Sequence, residues 1–273
     1  MRPLAPLLVL ALALPASAGG LVELAGKSID DYTFSFRARC WTSDQNSLVQ
    51  DSTTAQPGSA IDLFDDTDLD RRIYMPWVDA ELRFDELAIR FDYFWANDQI
   101  RGEFREGEGF DGHVFLRGDR ALMRFQAQQG SGHFEWIPLD LGSEKTIGLE
   151  IGLLFGARLT RMEAQFRDSA SGQQFHSSLV GVGPDPGLTI TLGVLNFLSV
   201  EGRVSGMQFR LGTYDYRALD ASVELRFFID DHFYIGLGYK YCYASIAKGE
   251  ADENGRLLEF AYFGPFAGIG LQF

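Results

Sequence analysis

The chain is poor in metal-binding and basic side chains and has no long apolar run beyond its start. There are four His and two Cys in 273 residues, and no His/Cys cluster. That excludes a transition-metal site of ordinary ligand spacing. The 24 Lys and Arg face 38 Asp and Glu, for a formal net charge of -14. Nucleic acid is thereby excluded as a partner, because phosphate backbones need a basic surface. The acidity is compatible with loops that hold divalent cations or basic molecules, and equally with plain solubility. After residue 18 no stretch reaches the roughly 18 consecutive apolar residues of a membrane helix. If this chain crosses lipid, it crosses as strands.

Aromatic residues and glycine are abundant: 23 Phe, 10 Tyr and 30 Gly. At the start, Met1-Arg2 precedes an apolar run from Leu4 to Leu14, Pro15 breaks it, and Ala16-Ser17-Ala18 forms a small-residue cleavage site before Gly19. This is the layout of a secretory signal peptide over residues 1–18, and the absence of Cys at the cleavage point argues against lipoprotein processing. Residues 19–273 then have the size of one all-β domain.

Period-two alternation marks ten amphipathic segments. They are predicted near Tyr32–Trp41, Trp77–Phe84, Leu87–Ala96, Arg120–Leu141, Thr146–Thr160, Leu188–Val194, Val200–Leu211, Tyr216–Phe228, Phe233–Tyr243 and Leu257–Phe273. Residues 42–76 and 162–186 read as loops, and Gly130 and Gly132 as a kink or bulge. Short links alternate with longer ones, except after the seventh segment, where a short link falls in a long-link position. An even count with alternating link lengths predicts a closed antiparallel up-and-down transmembrane β-barrel of ten strands. Eight or twelve follow if residues 113–141 or 187–214 divide differently.

Each segment carries one apolar face, such as Phe34 and Phe36 or Phe91, Tyr93 and Trp95. The opposite faces carry both charge signs. Basic members are Arg37, Arg39, Arg83, Arg90, Arg124, Arg158, Arg203, Arg226 and Lys240. Acidic members are Asp79, Glu81, Asp92, Glu150, Glu201, Asp220 and Glu224. A balanced set can pair across a narrow lumen, while an aromatic-rich face suits hydrocarbon. These residues are therefore predicted to form a lumen charge network, with the apolar faces toward lipid. The same phasing turns Cys40 toward lipid and Cys242 inward on strands that are not neighbours, so both are expected as free thiols.

At the other end, Ile269, Leu271 and Phe273 share an apolar face against Gly268, Gly270 and Gln272. Such a strand, running to a terminal aromatic, resembles the assembly signal of bacterial outer-membrane β-barrels. Together with Gly264-Pro265-Phe266, Ile61-Asp62-Leu63 and Gly238-Tyr239-Lys240-Tyr241, it makes the chain resemble the broad family of bacterial outer-membrane β-barrel domain proteins. The family prefers an aromatic two residues before the last, where this chain has Leu271. The resemblance implies an outer-membrane location, with membrane lipid and the barrel-insertion machinery as partners, and it carries no activity.

Residues that could carry chemistry remain few. Asp66, Asp68 and Asp70 match the first ligands of an EF-hand loop, but Arg71 stands at its glycine position and Trp77 at its bidentate Glu. An acidic solvated loop is the default reading, with Asp66, Asp68 and Asp70 as weak metal candidates. His176-Ser177-Ser178 has the His-x-Ser spacing of outer-membrane lipid A deacylases, which use a Glu to orient the His, but no Glu follows within the next strand. Asp230-Asp231-His232 is similar to acidic and His residues of the omptin proteases, but reads as a tight turn. Asp111-Gly112-His113 and His133 lack metal-ligand spacing. The sequence thus predicts a structural or interaction barrel, without enzymatic activity or cofactor. Its first alternative is a narrow solute channel permitted by inward Gly148, Gly152, Gly156, Gly236 and Gly238, and its second is a deacylase-like hydrolase.

Overall fold

The computed structural model describes residues 33–52, 60–63, 72–84, 86–105, 107–140, 148–195, 197–249 and 255–273. The leader, with Asp66, Asp68 and Asp70, lies outside them. The strands are β1 (Phe34–Asp51), β2 (Ile61–Asp62), β3 (Arg72–Phe84), β4 (Leu87–Glu103), β5 (Glu108–Phe110), β6 (His113–Phe115), β7 (Arg120–Asp140) and β8 (Gly148–Asp168). They continue with β9 (Gln174–Pro184), β10 (Gly187–Leu195), β11 (Leu198–Leu211), β12 (Tyr214–Phe228), β13 (Phe233–Lys248) and β14 (Arg256–Gln272).

Hydrogen bonds run from β1 through β3, β4, β7 and β8 to β9 and β10, then through β11, β12, β13 and β14 back to β1. Every pairing is antiparallel. β9 and β10 both lie along β8 and are joined by Asp185-Pro186, so they form one bent wall strand. The wall therefore closes on ten strands, as the alternation predicts. At one end, here the lower, the N–H groups of Thr33 and Phe34 donate to the Phe273 carbonyl. Asp230 tightens another turn there, its Oδ1 accepting from the His232 and Phe233 N–H groups at 2.8 and 2.7 Å. Only Gly212 and Thr213 join β11 to β12 at the upper end.

The strands are longer than the sequence suggests. β7 and β8 have 21 residues each. At about 3.3 Å per residue and the usual tilt of about 40°, such a strand rises roughly 50 Å. The apolar band of a barrel is only about 25 Å tall. About half of the wall therefore stands clear of it, and there the alternation changes phase.

In the lower half, Phe36, Phe91, Phe134 and Phe155 point outward while Arg37, Arg90, His133 and Glu135 point inward. In the upper half, Met123, Phe125, Met162, Ala164 and Phe166 are buried inside. Arg124, Gln126, Arg161, Glu163 and Arg167 occupy the outer face between them. This inversion explains the main corrections. Residues 42–51 and 72–76 belong to β1 and β3, and residues 162–168 and 174–184 to β8 and β9. Each is polar outward because it meets water, so the rule that apolar faces point outward misreads it as loop.

The upper mouth is closed by a hairpin of β5 and β6 between β4 and β7. Its two-residue turn is Asp111-Gly112, with φ of 49° and 74°. Asp-Gly tolerates that left-handed pair and matches the twist of the flanking strands. Phe104 stacks on Phe115 at 4.5 Å between ring centroids, Phe110 packs on Phe166 at 4.6 Å, and His113 stacks on Phe175 at 4.5 Å. The Asp111 N–H donates to the Asp51 carbonyl at 3.2 Å, tying the hairpin to the top of β1. Beneath it, Trp41, Phe94, Phe260 and Tyr262 meet largely edge to face. Such contacts add specificity to the area they bury.

Candidate functional site

The lower interior begins with alternate residues of β1. Arg37 and Arg39 point inward beside Asp79 and Glu81 of β3, because the register sets Arg37 opposite Asp79 and Ser35 opposite Glu81. Closing the ring brings the far wall within reach. Arg37 NH1 donates to Glu201 of β11 at 3.2 Å and NH2 to Glu81 at 3.2 Å, while Nε donates to Asp79. Arg39 grips Glu224 of β12 through Nε at 2.9 Å and NH2 at 2.7 Å, and lies over the Trp77 ring at 4.2 Å.

Glu201 is the hub. It takes Arg37 from β1, Arg90 from β4 at 3.1 Å and Arg226 from β12. Arg90 also meets Glu81 and Glu135. Lys240 donates to Asp220 at 2.7 Å and rests 4.2 Å over Trp77. Arg203 stands 3.9 Å from Asp92, and Arg83 pairs with Glu150 lower down. The cations and carboxylates come close to balance, so each buried ion has opposite charges around it. Without such partners its burial would cost several kcal/mol.

The phasing of the sequence therefore brings fifteen of its sixteen named lumen residues together. Arg124 is the correction. It stands on the outer wall, where Nε donates to Asn97 Oδ1 at 3.1 Å. It lies in the upper zone, where charge marks the wet side rather than the inside.

Sequence reasoning missed three members of the network: His133, Glu135 and Asp185. His133 and Glu135 share the parity of Ser131, which placing Arg124 inward had turned the wrong way. Asp185 was hidden in Pro184-Asp185-Pro186, which looks like a loop but is the joint between β9 and β10. Asp185 Oδ2 accepts from Arg158 Nε at 2.9 Å and lies 2.8 Å from His133 Nε2. Ser131 Oγ lies 3.3 Å from His133 Nδ1, which completes a Ser–His–Asp sequence of contacts. However, the Ser131 hydroxyl also donates to Asp92, and the three side chains are 7%, 4% and 1% exposed. No substrate reaches a nucleophile buried in this way.

Four of the five inward glycines, Gly152, Gly156, Gly236 and Gly238, leave no room for a side chain, whereas a Cβ on Gly148 would meet nothing within 4 Å. A Cβ on Gly152 would overlap the Glu135 and Thr189 side chains, and one on Gly236 would overlap Glu224. Above the ions, the void beside Gln45, Ser47 and Phe166 amounts to about 10 Å³, about the room of one water.

A closed even-stranded wall, apolar outside at mid-height and ion-filled inside, inverts the arrangement of a soluble barrel. The fold is that of a bacterial outer-membrane β-barrel. No family model and no curated protein matches the chain. Among solved structures, the outer membrane protease OmpT from Escherichia coli aligns with a TM-score of 0.49 at 9% identity, over 90% of this chain and 100% of that one. Ail, the attachment invasion locus protein of Yersinia pestis, aligns at 0.38 and 10% identity, over 88% and 99% of the two chains. Neisserial surface protein A aligns at 0.29 and 12%, over 88% and 97%.

Elsewhere on the barrel, His176 and Ser178 both face outward from β9. The register sets Gln165 opposite His176 and Glu163 opposite Ser178. Glu163 of the preceding strand thus shares this outer face, opposite Ser178, with its carboxylate paired to Arg161 at 2.5 Å. The Asp230–His232 turn lies at the lower end, where His232 stacks on Phe273 at 5.5 Å. Cys40 is exposed on the outer face and Cys242 is buried inside, and both are free thiols. Among the described residues, no group of three or more His, Cys, Asp or Glu could hold a metal ion.

Proposed function

We propose that this chain is an integral outer-membrane protein with a structural or interaction role, a closed post rather than a pore. Its lower end then faces the periplasm and its upper, hairpin-capped end the cell exterior. Outer-membrane lipid surrounds the apolar band, and the barrel-insertion machinery is the partner in assembly. The filled interior is the observation that supports this reading. Arg37, Arg39 and Arg90 reach across the lower lumen to carboxylates on distant strands, Arg226 pairs with Glu201 on the neighbouring strand, and aromatic rings close the upper part. Reconstituted into a planar bilayer, the protein should show no stable conductance. Discrete conductance steps would overturn the reading in favour of a narrow channel.

A second reading, an acyl hydrolase acting at the membrane surface, is favoured by the alignment of His176, Ser178 and Glu163 on one outer face. His176 would be the base, Ser178 the nucleophile and Glu163 the orienting acid. Incubation with a radiolabelled acylated glycolipid decides it. Fatty-acid release by the wild type that is abolished in His176→Ala would establish the hydrolase, and equal turnover in both proteins would exclude it.

A further inference from the structure

We infer that the upper outer wall of β4, β7 and β8 is a docking site for a phosphorylated glycolipid of the outer leaflet. The inference rests on the membrane reading above and adds to it a ligand class and a place. In a chain of net charge -14, this one face gathers Arg101, Arg120, Arg124, Arg161 and Arg167, against Glu103 and Glu163.

The registers set the residues in rows. Arg101 and Arg167 flank Leu122 from either side, and Gln99 and Gln165 flank Arg124 one row lower. Trp95, Gln128 and Arg161 form a row lower still, at the edge of the apolar band, with Tyr93 and Leu159 beneath. An open groove of about 760 Å³ lies over the upper rows, lined by Arg101, Glu103, Arg120, Leu122 and Arg167. Arg101 and Arg167 make no ion pair among the described residues. Arg120 reaches Glu103 only at 3.5 Å, with its side chain 78% exposed. Asp168, which also lines the groove, is already engaged by its own turn, accepting from the Ala170 and Ser171 N–H groups. Unpaired guanidinium forks of this kind match phosphate oxygens in charge and geometry.

Height selects the class of lipid. Six residues separate Trp95 from Arg101, which at about 3.3 Å per residue and a tilt of about 40° lifts the arginine row roughly 15 Å above the apolar edge. The headgroup layer of an ordinary bilayer is only about 5–7 Å deep. A glycerophospholipid phosphate therefore sits too low. Phosphates carried on sugars that rise from the membrane reach the groove, while the acyl chains of the same molecule lie against Tyr93, Leu159 and Val180.

The test uses the full-length folded protein in maltoside micelles, titrated with rough-form lipopolysaccharide, whose lipid anchor and core sugars carry phosphates, and read by native mass spectrometry. The triple variant Arg101→Gln/Arg120→Gln/Arg167→Gln should weaken retention on the order of tenfold. Arg217→Gln, on the far wall where Arg217 pairs with Asp215, should leave it unchanged. Wild-type protein should hold the dephosphorylated glycolipid no better than the triple variant holds the intact one.

Equal retention by wild type and triple variant would overturn the proposal, as would an equal loss in Arg217→Gln. Displacement by millimolar inorganic phosphate would indicate a soluble-anion site, and displacement by phosphatidylglycerol an ordinary headgroup contact; either result also overturns it. Heat-dependent electrophoretic mobility of each variant reports folding. If the triple variant does not fold, Arg120→Gln alone should give a drop of about twofold, and no drop refutes the site. Absence of that mobility shift in the wild type would instead refute the barrel reading itself.

Discussion

Glu201→Gln is the sharpest test of the ion-filled interior. The carboxylate receives Arg37 NH1 at 3.2 Å, Arg90 NH1 at 3.1 Å and Arg226, and is 6% exposed. The amide keeps the volume but loses the charge and aims an NH₂ group at one of the guanidiniums. Removing one partner of a buried ion pair costs about 3–5 kcal/mol, and a charge-assisted hydrogen bond is worth about 1.5–3 kcal/mol. A loss of about 4 kcal/mol is therefore expected. Glu163→Gln is the control, because its partner Arg161 has a side chain 52% exposed. Such a surface pair is worth about 0–1 kcal/mol.

Reversible urea unfolding of the refolded barrel in lipid vesicles measures both. With a slope of about 2–3 kcal/mol per molar, Glu201→Gln should shift the midpoint down by about 1.3–2 M, and Glu163→Gln by less than about 0.5 M. The double variant Glu201→Gln/Arg226→Gln, which removes one charge of each sign, should lose less than Glu201→Gln alone. Equal shifts for Glu201→Gln and Glu163→Gln, or a double variant as destabilised as the sum of its singles, would refute the picture of a dry, charge-balanced lumen.

Other outcomes follow from other places in the wall. In the folded barrel an apolar maleimide delivered from the membrane should label Cys40, whereas Cys242 should react only after unfolding, as mass spectrometry of the adducts can show. Gly236→Val should lower stability by about 1–3 kcal/mol, since the new side chain overlaps Glu224; a neutral effect in the same urea assay would mean the lumen has spare room. At the upper rim the Ser171 hydroxyl, then the Ala170 and Ser171 N–H groups, hold the Asp168 carboxyl below its ordinary range. A depressed folded-state value means the turn's support is complete above the unfolded carboxylate range, near pH 4, and is lost only as pH falls through the lower folded value. Hydrogen exchange at Ala170 and Ser171 should therefore accelerate below about pH 4 in the wild type, and Asp168→Asn should abolish that dependence.

Period-two patterning reveals the lower barrel because two solvents act on it from opposite sides. Hydrocarbon demands Phe36, Phe91 and Phe155 outward, and the lumen accepts Arg37, Arg90 and Glu150 inward. Ten strands, the inward face of fifteen charged residues and the opposite facings of Cys40 and Cys242 were legible on that basis. Above the apolar edge the outer solvent is water, and the same rule reverses. Arg124 then points out, Phe125 points in, and residues 162–186 look like a loop although most of them are wall. A single chain carries no marker for where the edge falls.

Pairings across the lumen belong to the tertiary structure alone. Arg37 and Glu201 are 164 positions apart, and what joins them is the closing of the ring and its stagger, which alternation along one strand does not encode. The same holds for Asp185 meeting His133, and for the row that sets Arg101 and Arg167 around Leu122. The face a residue occupies is a local property of the strand, whereas its partner depends on how all ten strands meet.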